Sequence, residues 1–159
     1  MNWTLRPFCA SDRTAILRLI VVLQDYERSI SRTRLPGRFI AARYYRFLMR
    51  GVKKNRGRLL VARAGRAIVG YVCMWLYRER GEIITAPVTV AYVTDIVVVP
   101  KHRRLGIGLA MLRAADDFAR ERGVREVRIG VLAGNSVARR TYEAAGFRDF
   151  EVLLAKRLR

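Results

Sequence analysis

A single histidine, His102, and two cysteines, Cys9 and Cys73, are all that this 159-residue chain offers a transition metal or a thiol–imidazole pair. They form no Cys-x-x-Cys motif and no Cys/His cluster, which excludes a four-ligand zinc site. A Ser-His-Asp or Cys-His nucleophile system would have to recruit His102, which sits in a stretch with a better explanation. Long apolar runs are also missing. The best, Ile16–Leu23, is interrupted by Arg18 and falls short of the ~20 residues that span a bilayer, so no membrane partner is expected. The first residues, Met1 to Pro7, show no basic segment followed by an apolar one. A reducing, cytoplasmic location is therefore the expectation.

Acidic residues are scarce: 13 Asp and Glu stand against 32 Lys and Arg, a net charge of +19. Only Lys53, Lys54, Lys101 and Lys156 are lysines, and from Arg28 to Arg78 there is no acid at all. Such a surface attracts anions: nucleic acid, nucleotide carriers, acidic substrates or anionic membrane. A compositional bias toward arginine would give the same total. The 52% apolar fraction and mean hydropathy of +0.03 provide a core and argue against disorder. The length predicts one domain over residues 1–159.

Strand-like and helix-like segments alternate, which predicts a single α/β (α+β) domain. Trp3–Pro7 is strand-like. A helix over about 12–30 places Ile16, Leu19, Ile20, Leu23 and Tyr26 on one face, and another over about 39–50 does so with Ile40, Tyr44, Phe47 and Leu48. Arg43, Arg46, Arg50 and Lys54 line another side of that second helix. Residues 58–63 and 67–77 read as strands joined by a hairpin turn at Ala64-Gly65-Arg66. Strands follow at 88–99 and 126–132, helices at 106–122 and 136–145, and a final strand at 147–158.

The sharpest local signal is Val97-Val98-Val99-Pro100-Lys101-His102-Arg103-Arg104-Leu105-Gly106-Ile107-Gly108. A buried strand runs into a basic, glycine-bearing turn that opens a helix. Free N–H groups and the positive end of the helix dipole meet there, an arrangement suited to a diphosphate. No Gly-Lys-Ser/Thr follows, so it is not a Walker loop. It lies too far along the chain, without an N-terminal βαβ unit, to be a dinucleotide fingerprint. Beyond it come Asn135, Ala138, Tyr142, Gly146 and Phe147, spaced Asn-x-x-Ala-x-x-x-Tyr-x-x-x-Gly-Phe.

Together, Arg103-Arg104-Leu105-Gly106-Ile107-Gly108 and this second motif resemble the GNAT superfamily of N-acetyltransferases. The strong likeness covers roughly 92–150; the N-terminal third agrees by pattern only. The resemblance implies a mixed, mostly antiparallel sheet with splayed parallel central strands and flanking helices. It implies acetyl-CoA as cosubstrate, with CoA as product and no metal. The pantetheine arm would pair with the backbone of Val97 and Val99. The diphosphate would sit on the amides of Arg104, Leu105, Gly106, Ile107, Gly108 and Leu109, helped by Arg103, with Asn135 and Ala138 on the opposite wall. A backbone N–H near Val97 or Val98 would meet the developing oxyanion. Tyr142 would protonate the leaving thiolate.

Relatives place a glutamate base at positions corresponding to Val93 or Thr94. Neither is acidic here, so the adjacent Asp95 is the leading candidate, ahead of Glu27 and Glu82. The acid-free span 28–78 covers the region that shapes the acceptor pocket in this superfamily. The expected acceptor is therefore an amine that is itself acidic or carried on nucleic acid. The competing reading is a CoA-sensing or nucleic-acid-binding protein with this fold and little catalysis. By analogy with the superfamily, the final strand is a candidate for pairing across a homodimer.

Overall fold

A computed structural model of the chain describes residues 2–31, 33–80, 86–156 and 158. Nine principal elements follow in chain order. They are β1 (Trp3–Pro7), α1 (Arg13–Ile30), α2 (Gly37–Lys54), β2 (Arg58–Ala64), β3 (Ala67–Glu79), β4 (Val88–Val98), α3 (Ile107–Glu121), β5 (Val127–Ile129) and α4 (Ser136–Ala144). The strands form one sheet in the order β1-β2-β3-β4-β5. The first four pair antiparallel, and β4 and β5 pair parallel.

Period-2 alternation along the central strands divides the core into two layers. On one face, Val72, Met74, Ala91 and Val93 pack against Ile107, Met111, Ala115 and Phe118 of α3. On the other, Tyr71, Cys73 and Trp75 pack against Ile16, Leu19 and Ile20 of α1 and Ala41 and Leu48 of α2. α1 and α2 approach closely at Gly37, where a Cβ would lie 2.7 Å from the Val21 backbone. The Gly37 amide donates to Asp25 Oδ1 at 2.7 Å, fixing the start of α2 against α1. Cys73 is buried in this second layer, whereas Cys9 is exposed. No described helix is long and apolar enough to cross a membrane.

The expected strand over 147–158 is not formed by its described residues. The Phe147 ring packs on Tyr142 at 6.1 Å, Asp149 pairs with Arg139 at 2.7 Å, and Phe150 lies under the Arg128 guanidinium at 3.9 Å. Beyond that point Leu153 is 93% and Leu154 86% exposed. The reason lies in the pattern. Val152-Leu153-Leu154-Ala155 is a continuous apolar run without polar alternation, so no face is specified, and no strand among the described residues supplies it a ladder.

Candidate functional site

β3 and β4 pair residue for residue as far as Met74 with Val93, but the next pair is Cys73 with Asp95. Thr94 is therefore an unopposed bulge residue, and a bulge of one residue swaps the faces taken by the side chains that follow. Before it, Ala91 and Val93 point into the α3 layer; after it, Val97 points into the α1–α2 layer and Asp95 meets Tyr44 of α2. On its other edge β4 is followed by β5 only from Ala91 to Val93. The two parallel strands part at the bulge. A crevice of about 880 Å³ opens between Thr94–Val98 on one wall and Ile129–Leu132 with α4 on the other.

One end of the crevice is built for an anion. Arg104 and Gly106 both adopt left-handed backbone, with φ of 63° and 78°, which turns the chain sharply into α3. The first hydrogen bond within α3 runs from the Ala110 amide to the Gly106 carbonyl. The amides of Ile107, Gly108 and Leu109 are thus the open donors of a helix N-terminus, and no acid occupies its first turn. The turn is held from behind, because Trp3 Nε1 donates to the Leu105 carbonyl at 3.1 Å. Arg103 Nε donates to the Val98 carbonyl at 3.0 Å, and its guanidinium lies 5.4 Å from the Tyr26 ring centre. Among the described residues beyond its own helix backbone, a Cβ at Gly108 would meet only Thr141 Cγ2, at 3.5 Å, so there is room beside this amide. These features fit the diphosphate of a nucleotide carrier.

The inner end has different chemistry. Asp95 is only 7% exposed, and the Tyr44 hydroxyl donates to its two carboxylate oxygens at 3.0 and 3.1 Å. Burial pushes the carboxyl up to about 7, against the pull of the Tyr44 hydrogen bond. Glu27 reaches the same crevice from α1; burial raises its pKa, and Arg34 at 3.0 Å opposes the rise. Tyr142, on α4, is buried and faces the crevice. Its hydroxyl is held well above the usual phenol range by burial, then by Glu27 and Asp95, and stays protonated. Asn135 caps α4: its Oδ1 accepts from the Ala138 amide at 3.1 Å and from the Tyr26 hydroxyl at 3.2 Å. The cations that line the crevice, among them Arg103, Arg104 and Arg140, come from the β4–α3 turn and α4; none comes from α2.

Most residues singled out from the sequence converge here: Asp95, Val97, Val98, Arg103, Arg104, Gly106, Ile107, Gly108, Leu109, Asn135, Ala138 and Tyr142 line the crevice. Val99 and Leu105 do not line it. The Val99 amide donates to the Val69 carbonyl at 2.9 Å, turned into the sheet. By strand alternation the Val97 amide turns the same way, leaving the main-chain groups of Ile96 and Val98 toward the crevice. His102 also lines the crevice; it is half-buried, with its Nδ1 unpartnered among the described residues. Glu27 arrives on α1, and Glu82 lies outside the described residues. Sequence reasoning missed the partnership of Tyr44 with Asp95. The usable signal was position: Tyr44 shares the inward face of α2 with Ala41 and Leu48, and a phenol turned inward needs a polar partner.

Comparison with known proteins agrees with this geometry. The acetyltransferase (GNAT) family profile matches residues 12–147. An uncharacterized N-acetyltransferase of Bacillus subtilis is 32% identical over 91 residues, covering 57% of this chain and 54% of that protein. An N-alpha-acetyltransferase of Sulfurisphaera tokodaii is 31% identical over 113 residues, covering 69% of this chain and 67% of that protein. The match thus spans between about half and two thirds of these relatives' lengths. A predicted acetyltransferase from Clostridium acetobutylicum, crystallised with acetyl-CoA, shares the fold. Its TM-score is 0.74 at 17% identity, covering 98% of this chain and 96% of that one.

Proposed function

The chain belongs to the acetyltransferase (GNAT) family, and on that premise we propose that it is an acetyl-CoA-dependent N-acetyltransferase acting on a cationic primary amine. One observation carries the reading. A buried carboxyl with a pKa near 7, Asp95, and a protonated buried phenol, Tyr142, face one crevice whose far end is a helix N-terminus with room beside its Gly108 amide. The Clostridium acetobutylicum structure, which holds acetyl-CoA in the same fold, supports the choice of carrier.

Acetyl-CoA supplies the acetyl group as an activated thioester. The amides of Ile107, Gly108 and Leu109, with Arg103 and Arg104, hold the diphosphate. The main-chain groups of Ile96 and Val98 bind the pantetheine arm, and one of these amides donates to the oxyanion as it develops. Asp95 takes a proton from the incoming ammonium, directly or through water, which frees the nitrogen lone pair to attack. As the C–N bond forms and the C–S bond breaks, Tyr142 gives its proton to the departing sulfur, and the second proton shed by the acylated nitrogen restores the phenol.

The charge the acceptor meets revises the expectation of an acidic or nucleic-acid-borne amine. The cations of the acid-free span lie mostly outside the crevice, and its inner end holds Glu27 and Asp95. Glu27 is offset by Arg34 at 3.0 Å, so Asp95 supplies the net negative charge there, which favours a cation over an acidic amine. The Asp95–Tyr142 pair also favours catalysis over a carrier-sensing role. The exposed Val152–Leu154 run supports a homodimer in which a second copy covers it.

The test combines calorimetric titration with acetyl-CoA and thiol release across a panel of polyamines, amino sugars, lysine peptides and acidic amines. The expected result is binding of acetyl-CoA and faster turnover of cationic amines. No binding, or turnover favouring acidic amines, would overturn the reading.

A further inference from the structure

The helices of this protein treat their arginines differently. α1 carries Asp25 and Glu27 among three arginines. In α3, Asp117 pairs with Arg120 at 2.8 Å, and in α4, Glu143 pairs with Arg139 at 2.9 Å. α2 has no acid. Arg38, Arg43, Arg46, Arg50, Lys53 and Lys54 are all exposed on its outer face, and none forms an ion pair among the described residues. A uniform arginine bias would leave cations on every helix. It does not explain why one helix alone carries no acid among its cations. The pairs Arg46/Arg50 and Arg50/Lys54 repel at i,i+4, and a bound polyanion would relieve that repulsion.

Two aromatic rings interleave with these cations. Phe39 is 68% exposed and Phe47 43%. Phe47 is held in place by Tyr44, stacked at 5.6 Å, and by the edge of Trp75 at 5.7 Å. Beside it, Phe47, Trp75, Arg50, Lys53 and Lys54 line a shallow hollow of about 730 Å³. The apolar stripe of α2, including Ala41 and Leu48, is spent on the protein's own core. Only the two phenylalanines and Ala42 interrupt the outward charge, too little apolar area for a helix lying in a lipid interface. A ring held in place at Phe47 and an exposed ring at Phe39, with the Arg38 guanidinium 4.6 Å from its centre, stand among unpaired cations; a flexible polyanion with exposed bases would use both, rings stacking on bases while arginines follow phosphates. A duplex would leave both rings idle.

We propose that the outer face of α2 is a binding surface for single-stranded nucleic acid. The face is roughly 27 Å long, enough for about four nucleotides. It does not depend on the acetyl-transfer reading, and its test is done without acetyl-CoA, so that failure of one leaves the other standing.

The probe is a fluorescein-labelled 12-mer oligouridylate, followed by anisotropy over a salt series with the full chain. Binding should weaken steeply with salt. The triple variant Arg43→Gln, Arg46→Gln, Arg50→Gln should weaken binding tenfold or more at low salt and flatten the log–log salt slope by about 2. Phe39→Ala should lose about fivefold or more at fixed salt with an unchanged slope. The control triple Arg66→Gln, Arg113→Gln, Arg125→Gln removes the same charge from other faces and should stay within about threefold of wild type. Thermal melts check that each variant folds. Equal losses in the two triples would show charge without a site and overturn the proposal. So would an unaffected Phe39→Ala, tighter binding to a blunt 12-base-pair duplex, or preference for phosphatidylserine vesicles.

Discussion

Replacing Tyr44 by Phe removes one hydroxyl from the catalytic end while keeping the ring that stacks on Phe47. That hydroxyl donates to both oxygens of Asp95, at 3.0 and 3.1 Å, and favours the ionised carboxylate. Burial works the other way and wins, leaving the carboxyl near 7. A hydrogen bond to a charged group contributes about 1.5–3 kcal/mol, and one pKa unit corresponds to about 1.4 kcal/mol. Without the hydroxyl, the Asp95 pKa should climb by about one to two units. At pH 7 the ionised fraction would then fall about 5- to 50-fold, and kcat/KM with it. The assay is thiol release from acetyl-CoA with one amine across pH 5.5–10, comparing wild type with Tyr44→Phe. The amine's own titration is common to both profiles and cancels in their ratio. The acidic limb of the variant should move to higher pH, with activity recovering toward wild type above pH 9. A limb that stays put, or moves to lower pH, refutes the role of Asp95 as base and of Tyr44 as its positioning residue. A merely structural loss would lower the whole profile without shifting it.

Asp95→Asn should abolish the acidic limb and lower kcat at least a hundredfold at pH 8. It should also stabilise the fold in one direction of pH. The raised carboxyl favours folding fully below the unfolded carboxylate pKa, and that contribution is lost as pH rises through 7. The variant should therefore gain on wild type between pH 4 and 8, by up to about 4 kcal/mol in denaturant titrations. Tyr142→Phe should lower kcat about a hundredfold with acetyl-CoA affinity within twofold of wild type in calorimetry. Gly108→Val should weaken acetyl-CoA binding tenfold or more while leaving the melting temperature nearly unchanged, because the added Cβ would make ordinary contact with Thr141 Cγ2 at 3.5 Å. Leu153→Asp with Leu154→Asp should shift the chain toward monomer in sedimentation velocity; an unchanged distribution would remove the segment from any dimer contact.

The two motifs were legible because each is local. The turn around Gly106 is made by left-handed backbone at Arg104 and Gly106, two residues apart, and α4 is capped by Asn135 three residues before Ala138, so spacing alone carries the geometry. The alternating strands and the two inward helix faces were legible for the same reason. What could not be read is what depends on register between strands. Nothing in the string Tyr92-Val93-Thr94-Asp95 marks Thr94 as the residue without a partner; that becomes visible only when Met74 and Cys73 take up their places opposite. Yet this single unpaired residue decides the site. With straight alternation Asp95 would share a face with Ala91 and Val93 and be buried against α3, where no phenol waits for it. The bulge sends it to Tyr44 instead and, at the same point, ends the pairing of β4 with β5. The carboxyl is thus delivered, and the crevice opened, by one event in the sheet. Closing the bulge by deleting Thr94 keeps Asp95 opposite Cys73 and on the side of Tyr44, but lets β4 run straight beside β5; carrier binding should be lost in calorimetry while the carboxylate stays beside the phenol.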